Sequence, residues 1–560
     1  MQSGRRFASM YVREAWRRAL RRVALLRLKL FRHSIKVPER LIVAPTDLRS
    51  IDPHVADEIL NGRFLLAGRM LETNEKSPFT FTLPSRPFAI RLHSFGWLRH
   101  MRANKTERSS AVARAIVDSW LSIHAGRMEG IAWETDVTAQ RVIAWLSHSP
   151  VVLQNADRGF YRRFMKSLAF QVRFLHRMAP FTLGGLELFR LRIALAMASV
   201  AMPARASTLR RAAQALDREF DSQILPDGGH VSRNPRVGLE LLLDLLPLRQ
   251  TYVNLGHDLP QKLISGIDRI YPALRFFRHQ DGDLALFNGA TSTLANELMS
   301  VLRYDETAGQ PFKALPHSRY QRLSGGKTVI IADTGTPPSG GALRTVHAGS
   351  LSFEMSSGRH RFIVNSGSPK FAGHRYVQMA RTTAAHSTVI LNDTSSSRFS
   401  PSPFLNHAIT EPVRTITVER AETEDGRDGI KLSHDGYLRV FGVLHERELT
   451  LNAAGSIVTG RDRLVVREGY ENDEPLKAVA RFHIHPSIVL HQSDGESVLL
   501  TAPDGESWLF SAPGNEVLIA EDIFFADSSG ICGSDQIEID FDLAEKTEIR
   551  WFLSAKARSG

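Results

Sequence analysis

The sequence predicts a multidomain protein in which an all-helical domain precedes a large antiparallel β-sandwich. Two observations carry this prediction. Residues 106–310 repeat apolar side chains at the spacing of amphipathic helices, whereas residues 311–560 consist of short β-rich runs separated by turn signals. A chain of 560 residues also exceeds what one hydrophobic core usually supports, so two or three domains are expected.

The N-terminal residues 1–37 are predicted to form a basic helix. Apolar side chains are interspersed there with arginines, including Arg17, Arg18, Arg21, Arg22 and Arg27. The segment lacks the uninterrupted apolar stretch and the small-residue cleavage site of a signal peptide. Such a helix suits peripheral contact with an anionic membrane surface, and equally suits packing on its own domain with the arginines in water.

Residues 38–105 are predicted to form an irregular, partly extended lead-in to the helical domain. Several prolines interrupt any long helix in this region. Within it, the segments Asn61–Gly68 and Arg86–Trp97 are interpreted as short extended pieces.

The helical domain, residues 106–310, is predicted from seven amphipathic segments. These are residues 112–123, 136–147, 157–178, 186–201, 206–220, 237–253 and 260–278. Proline or glycine separates several of them. Helices without intervening strands pack on one another as a bundle, a solenoid or a toroid. The sequence shows no fixed-period repeat, which disfavours an ordinary repeat solenoid.

The β domain, residues 311–560, is predicted from runs of β-forming residues with turn dipeptides such as Asp435-Gly436 and Asp504-Gly505 between them. The runs are residues 328–332, 351–355, 361–365, 387–391, 415–418, 437–443, 447–451, 456–459, 477–483, 497–500, 507–510, 516–520 and 547–552. So many strands without helices indicate a large antiparallel sandwich.

Composition restricts the partners. The formal net charge of +12 makes a polyanion worth considering, and nucleic acid, an anionic membrane and a uronate polysaccharide all fit. A solvated arginine-rich surface explains the same charge. No nucleic-acid motif is present, so nucleic acid is not an expected partner. The single cysteine, Cys532, excludes an internal disulfide and a Cys-rich metal site, and no apolar run is long enough to span a membrane.

Four segments give the sequence its resemblance to a known family. They are Ile131–Trp145, Leu225–Pro235 with its Asp-Gly turn, His347–Glu354 at the start of the β domain, and Arg381–Leu391 with its Ala-His-Ser-Thr strand. Together they resemble motifs of the heparinase II/III-like polysaccharide lyases. The resemblance implies an α/α-toroid-type helical domain before the sandwich. It also implies a carbon–oxygen lyase that acts by β-elimination on an acidic, uronate-containing polysaccharide.

The resemblance and the donor chemistry together suggest the site residues. Lyases of this kind neutralise the substrate carboxylate, remove the proton at C5 and protonate the departing oxygen. The expected catalytic residues are His230, Asn234, His347 and His386. The expected substrate-binding residues are Arg233, Tyr252, Arg275, Arg278 and Tyr437. Competing structural roles are a helix cap for Asn234 and surface salt bridges for Arg275 and Arg278. For the two tyrosines they are interfacial packing of Tyr252 and a position beside a turn for Tyr437.

The resemblance also raises the question of a metal. Members of the family use histidines at the positions of His347 and His386 for catalysis or to hold a structural zinc, with an aspartate between them. Asn365 stands where that aspartate is expected, and a neutral amide is a poorer zinc ligand than a carboxylate. No cofactor is therefore expected to be required, although a structural zinc at His347 and His386 stays open.

Three departures from the family pattern favour an alternative function. The region Leu183–Glu187 has no counterpart of an Asn-Asn-His motif, Val237 stands where a tyrosine is often found, and Thr345 replaces the first histidine of a His-x-His pair. The alternative hypothesis is therefore a catalytically impaired protein of the same fold that binds glycan or takes part in envelope assembly. Polymer degradation implies the cell envelope or periplasm, whereas the missing signal peptide favours the cytoplasm.

Overall fold

A computed structural model describes residues 2–31, 36–74, 76–307, 309–338, 344–371, 373–422, 426–470, 472, 474–528 and 530–556. Its helices are α1 Gln2–Leu30, α2 Pro53–Leu60, α3 Arg86–Ser94, α4 Leu98–Asn104, α5 Glu107–Ile123, α6 Thr135–Ser147, α7 Ser149–Leu153, α8 Arg158–Met178, α9 Leu186–Ala201, α10 Ala206–Gln223, α11 Arg236–Asn254, α12 Leu263–Phe277, α13 Ala295–Leu302, α14 His374–Met379 and α15 Leu438–Phe441. Within these ranges, no helix combines the length and the apolar character needed to cross a membrane.

Two short strands, β1 Arg63–Leu66 and β2 Arg69–Glu72, form a hairpin before α3. All other strands lie in the second half of the chain. They are β3 Ala314–Leu315, β4 Tyr320–Gly325, β5 Thr328–Asp333, β6 Phe353–Ser357, β7 His360–Val364, β8 Val389–Leu391, β9 Arg398–Phe399, β10 Ile409–Glu411, β11 Ile416–Glu422, β12 Asp428–His434, β13 Val443–Leu451, β14 Ile457–Val466, β15 Lys477–Ile484, β16 Val489–Asp494, β17 Ser497–Thr501, β18 Ser507–Ser511, β19 Leu518–Phe524, β20 Cys532–Asp542 and β21 Glu548–Lys556.

The helices form two layers. Helices α3, α6, α9 and α11 contact one another in succession, while α5 contacts α8 and α10 contacts α12 on the other side. Helix α9 is buried along most of its length, because it packs against α6, α8, α10 and α11 together. The domain is thus an α/α toroid, one of the arrangements that the helical spacing left open.

The strands of the second domain form two large antiparallel sheets. One has the order β11-β12-β13-β14-β21-β18-β17-β16, and the other has the order β19-β20-β15-β7-β6-β5-β4-β3, with β8 paired to β15. Aromatic rings fill the space between the sheets: Trp551 packs against Phe353, Phe482 and Phe510. The predicted order of a helical domain followed by an antiparallel sandwich is confirmed.

The second of these sheets is covered on both faces. Leu315, Tyr320, Val329 and Ile331 belong to the hydrophobic core of the helical domain, whereas Leu323 and Ile330 belong to the core between the sheets. Strand β5 is consequently buried at every position. The two domains therefore share a continuous interface along β3–β5.

Two local predictions were wrong. Arg86–Trp97 was expected to be extended, but Arg86–Ser94 forms α3, which packs against α6 as part of the toroid. Pro87 lies in the first turn of this helix, where its missing N–H costs nothing, and the Ser85 side chain accepts a hydrogen bond from Phe88 N. Residues 437–443 were expected to be a strand, but they form the short helix α15, which ends at Gly442 in the left-handed conformation.

Helix α1 lies across both domains. Leu28 is buried in the core of the helical domain, and Met10 packs against Val346 and Ile409 of the sandwich domain. Glu14, the only acidic residue of α1, is buried and pairs with Arg17, Arg18 and Arg344. The predicted basic helix is present and is fixed to the protein through one face.

Candidate functional site

A cleft of about 660 Å³ lies between the two domains. Side chains of α3, α4, α6, α9 and α11 line it, together with residues 47–52 and the turn between β1 and β2. Lys370, Phe371 and Ser528 close it from the sandwich side. A ligand in this cleft would contact both domains.

Carboxylates neutralise most of the arginines on the toroid side of the cleft. Arg190 contacts Glu240 at 3.0 Å and Asp244 at 3.6 Å, Arg49 contacts Asp244 at 2.8 Å, and Arg236 contacts Glu240 at 3.2 Å. Burial alone would raise the pKa of Glu240, but Arg236 and Arg190 hold it at about 2. These groups form a structural ion-pair network with no unpaired charge to offer a ligand.

Three other cations of the cleft have no carboxylate partner among the residues that the structure describes. They are Arg91 on α3, Arg99 on α4 and Lys370 in the loop before α14. Arg91 Cζ lies 5.3 Å and Lys370 Nζ 5.6 Å from the centre of the Phe371 ring, so both charges flank one aromatic side chain. Burial, together with the charges of Arg236 and Arg91, lowers the pKa of Lys370 to about 8. Guanidinium and ammonium groups beside an aromatic ring are side chains with which proteins bind anions.

A second cluster brings together three of the predicted catalytic residues. Asn234 Nδ2 and His347 Nε2 both approach Gly289, at 3.4 and 3.6 Å from the position that a Cβ atom would occupy there. His347 Nδ1 lies 3.2 Å from His386 Nε2. Asn234 Oδ1 accepts a hydrogen bond from Arg236 N just before α11. The N-cap residue of this helix is Pro235, so the predicted cap by Asn234 is wrong by one position.

The two histidines of this cluster are buried and uncharged at neutral pH. His347 is 4% exposed and His386 2% exposed. Burial lowers the pKa of His386 to about 3, and burial together with the neighbouring His386 and Arg381 holds the pKa of His347 well below its usual range. Neither lines the interdomain cleft in the described part of the chain. They are therefore poorly placed to exchange protons with a polymer bound there.

The donor set does not fit a structural zinc. Two imidazole nitrogens 3.2 Å apart have a spacing suitable for one metal, but a structural zinc needs further protein ligands. Asn365 uses both ends of its amide, since Oδ1 accepts from Ser387 N and Nδ2 donates to Glu354. Among the described residues, no group of three His, Cys, Asp or Glu side chains is arranged to hold a metal.

Gly349 lies against the His386 ring in the structure. A Cβ atom at this position would lie 2.4 Å from Cδ2 of His386. The His386 ring therefore occupies the space that a side chain at position 349 would need. This arrangement leaves His386 to bond His347 and the Thr382 carbonyl oxygen.

His230 and Arg233 have structural partners instead of a place in either cluster. Both ring nitrogens of His230 are hydrogen-bonded, to Ser232 Oγ and Gln223 Oε1, and burial lowers its pKa to about 3. Arg233 is buried, forms an ion pair with Asp333 and donates to the carbonyl oxygens of Ser318 and Gly335. Arg233 thus joins the toroid to β5 of the sandwich.

The remaining predicted binding residues are also outside the cleft. Arg275 pairs with Asp305, and the exposed Arg278 lies in the turn after α12. Tyr252 is buried in the toroid, where burial raises its pKa to about 12. Tyr437 is buried in the sandwich, and its hydroxyl donates to the Val389 carbonyl oxygen. Both tyrosines are thus packed in the interior of their domains, and Arg275 has an ion-pairing role.

Sequence reasoning missed Arg91, Arg99, Lys370 and Phe371. Arg91 lies in the segment that was expected to be extended, so the sequence did not predict that it lies on a helix facing the cleft. Lys370 and Phe371 occur in a loop without a motif, and nothing local relates them to α3. The hydrogen bond between His279 Nε2 and Glu354 Oε2 at 3.1 Å was missed as well. Both residues are buried, and Glu354 also accepts hydrogen bonds from Leu286 N and Asn365 N.

The fold is that of toroid-plus-sandwich polysaccharide lyases. The crystal structure of heparinase III superimposes with a TM-score of 0.73 over 96% of this chain and 89% of that chain, at 13% identity. The heparan sulfate lyase HepC from Pedobacter heparinus gives a TM-score of 0.57 over 98% of this chain and 88% of that chain, at 15% identity. At these identities the similarity shows the fold alone.

Sequence comparison identifies the family. The family described as "Heparinase II/III-like, C-terminal" matches residues 307–552. The FtsZ-localized protein C of Caulobacter vibrioides (strain NA1000 / CB15N) is 30% identical over 488 residues, which cover 83% of this chain and 82% of that protein. The chain belongs to the heparinase II/III-like family, as its four motifs predicted.

Proposed function

We propose that this protein binds an acidic polysaccharide in the interdomain cleft and does not cleave it efficiently. The observation that carries the proposal is the pair of cations without a carboxylate partner, Arg91 and Lys370, that flank Phe371, with Arg99 in the wall of the same cleft. Guanidinium and ammonium groups bind carboxylates, and an aromatic ring packs against the apolar face of a sugar. The wall of the toroid and the sandwich loop offer these groups to the same ligand.

The chemistry of β-elimination is poorly supported in the cleft. The described residues of its wall include no tyrosine. His100, the histidine among them, is buried, accepts a hydrogen bond from Asp52 N and has its pKa lowered to about 4 by burial. Proton transfer to and from the sugar needs a group that is both exposed and titratable near neutral pH. Lys370 alone approaches that condition.

Lyase activity is the second candidate function, and one observation favours it. Asn234 Nδ2 and His347 Nε2 point to a common space at Gly289. An amide to neutralise a carboxylate and an imidazole to accept a proton are the pair that β-elimination requires. For this function, a sugar would have to reach past Gly289, because His347 is almost fully buried.

One experiment separates the two functions. The purified protein is passed over immobilised heparin, hyaluronate and alginate, and the same polymers are incubated with it while ultraviolet absorbance reports unsaturated product. Binding without cleavage predicts salt-sensitive retention on at least one polymer and no absorbance change. Replacement of both Arg91 and Lys370 by Gln should weaken binding about tenfold or more.

The matched control is the double variant Arg210→Gln and Arg359→Gln, which removes two exposed charges elsewhere. Equal weakening in the control, or no retention of the unaltered protein, would contradict cleft binding. Product that accumulates with the unaltered protein and disappears in His347→Ala would establish the lyase function instead.

We also propose that the protein binds an anionic membrane surface through α1. The outward face of α1 carries an apolar stripe in which Trp16 is 66% and Leu30 77% exposed. Val12, Val23 and Leu26 continue this stripe at helical spacing, and exposed basic residues flank it: Arg13, Arg22, Arg27 and Lys29. This pattern is typical of helices that lie in an anionic membrane surface.

Vesicle sedimentation tests the membrane contact. Vesicles of phosphatidylglycerol should bind the protein and vesicles of phosphatidylcholine should not, and Trp16→Gln should weaken binding. Phe312→Gln is the matched control, because Phe312 is an exposed aromatic residue away from α1. Equal loss in both variants would contradict a role for the α1 stripe.

The similarity to FtsZ-localized protein C supports an association of this protein with FtsZ. We propose that the protein associates with FtsZ polymers, directly or through the membrane. Sedimentation of the purified protein with FtsZ polymers, with and without phosphatidylglycerol vesicles, tests this proposal. Absence from the pellet under both conditions would contradict it.

A further inference from the structure

A second cavity, of about 450 Å³, lies in the sandwich domain and shares no lining residue with the interdomain cleft. We name it the arginine pocket. Its wall consists of residues 394–399, Glu411 and Pro412, Arg414, residues 435–440 and Arg467. The wall thus includes β9, the end of β10 and most of α15.

The charge of the arginine pocket is unbalanced. Four arginines line it, Arg398, Arg414, Arg439 and Arg467, against the two carboxylates of Glu411 and Asp435. Glu411 contacts Arg439 at 2.9 Å and Arg398 at 3.9 Å. Asp435 Oδ1 accepts the backbone N–H groups of Arg414 and Thr415 and forms no ion pair in the described part of the chain. The pocket therefore carries two positive charges in excess.

Two of the four arginines are unpaired. Arg414 and Arg467 are exposed, and neither guanidinium group meets a carboxylate in the residues that the structure describes. Each offers several N–H donors in a planar fork, which suits phosphate and carboxylate oxygens. Both line the same pocket.

Hydroxyl donors lie among these arginines. Ser395 Oγ accepts a hydrogen bond from Thr383 N, and Ser397 Oγ accepts one from Val413 N. The described residues provide no acceptor for either hydroxyl proton, so a ligand oxygen can receive both. Serine hydroxyls beside guanidinium groups are common partners of phosphate oxygens.

The pocket also has an apolar part. Phe399, Pro412, Leu438 and Val440 line it, and the Phe399 ring packs on the other side with the cluster that contains Met10 of α1. A ligand that fills the pocket would therefore combine an anionic group with an apolar or uncharged remainder. The link through Phe399 places the pocket next to the helix whose outward face is apolar.

We infer that the arginine pocket binds a phosphate monoester. At neutral pH such a group carries about −1.5 to −2 charges, which matches the excess of two positive charges better than the single charge of a uronate does. The phosphate oxygens would accept from Arg414, Arg467, Ser395 and Ser397, and the remainder of the ligand would lie against Phe399 and Val440. A lipid headgroup such as that of phosphatidic acid and a soluble phosphate ester share this chemistry.

Isothermal titration with glycerol 3-phosphate tests the inference. Saturable binding is expected for the full-length protein, and the double variant Arg414→Gln and Arg467→Gln should weaken it about tenfold or more. The double variant Arg210→Gln and Arg359→Gln removes the same charge elsewhere and should bind as the unaltered protein does. Circular dichroism confirms that both variants remain folded, which is expected because all four side chains are exposed.

The pH dependence distinguishes phosphate from carboxylate. A phosphate monoester loses its second proton near pH ~6, so binding should be several-fold tighter at pH 7.5 than at pH 5.5, whereas glucuronate is already ionised at both values. Glucuronate that binds as tightly as glycerol 3-phosphate would overturn the inference. The inference would also be overturned if the protein bound neither glycerol 3-phosphate nor phosphatidic acid vesicles, or if the control variant were weakened equally.

A vesicle arm distinguishes the two sources. Binding to phosphatidic acid vesicles is measured in a Trp16→Gln background, which removes the exposed tryptophan of the α1 stripe. If the Arg414→Gln and Arg467→Gln variant binds vesicles more weakly but binds glycerol 3-phosphate unchanged, the pocket is assigned to a lipid headgroup. If the variant binds glycerol 3-phosphate more weakly but binds vesicles unchanged, the pocket is assigned to a soluble ester.

Discussion

Replacement of Arg233 by methionine tests whether this residue joins the two domains or binds substrate. Arg233 is buried, and its guanidinium group pairs with Asp333 and donates to the carbonyl oxygens of Ser318, Arg319 and Gly335. Methionine keeps the approximate length of the side chain but leaves Asp333 buried without its cation. Loss of one member of a buried ion pair costs about 3–5 kcal/mol, so the free energy of unfolding should fall by that amount.

The assay is urea unfolding at pH 7.5, followed by far-ultraviolet circular dichroism and tryptophan fluorescence. The matched control is Arg163→Met, because Arg163 forms an exposed ion pair with Asp118 at 2.9 Å. That control should change the free energy of unfolding by less than about 1 kcal/mol. If Arg233→Met unfolds like the unaltered protein but no longer binds acidic polysaccharide, the structural role is refuted and the substrate-binding role is restored.

Three further predictions concern the buried histidines, Gly289 and a structural metal. Because burial lowers the pKa values of His93, His230 and His386 to about 3, the unfolded chain binds protons that the folded chain does not. The free energy of unfolding is therefore highest above pH ~6.5 and decreases as the pH falls toward 3. At pH 5 the decrease should be about 2 kcal/mol per histidine, and urea unfolding at pH 7.5 and at pH 5 measures it. Gly289→Ala should cost about 1–2 kcal/mol, since residue 289 has a φ of +88°, and should leave polysaccharide retention in the cleft unchanged. Treatment with EDTA should shift the melting temperature by less than about 2 °C, and a larger decrease would reveal a structural metal.

Periodicity was sufficient to predict most of the fold. The segment 157–178 was expected to be a helix and forms α8, and the run 477–483 was expected to be a strand and forms β15. The expectation failed at Arg86–Trp97 because a proline was taken to break a helix. The Ser85-Arg86-Pro87 sequence instead begins one, since proline is tolerated in the first helical turn.

The candidate site was predictable only in part. The motifs pointed to Asn234, His347 and His386, and the structure brings these three together. Burial is a property of the assembled core, so the sequence could not show that both histidines are inaccessible. Lys370 and Arg91 are far apart in the chain and meet only because α3 and the loop before α14 close the same cleft.

Net charge alone does not identify the groups that bind an anion. In the cleft, Arg49, Arg190 and Arg236 are as cationic as Arg91 and Lys370, but carboxylates already neutralise them. A substitution at Arg190 would leave Glu240 and Asp244 without their partner and should reduce stability, whereas a substitution at Arg91 breaks no ion pair and should reduce binding alone. The two kinds of arginine therefore separate the energetics of the fold from those of the ligand, and only the unpaired kind is evidence for an acidic polysaccharide.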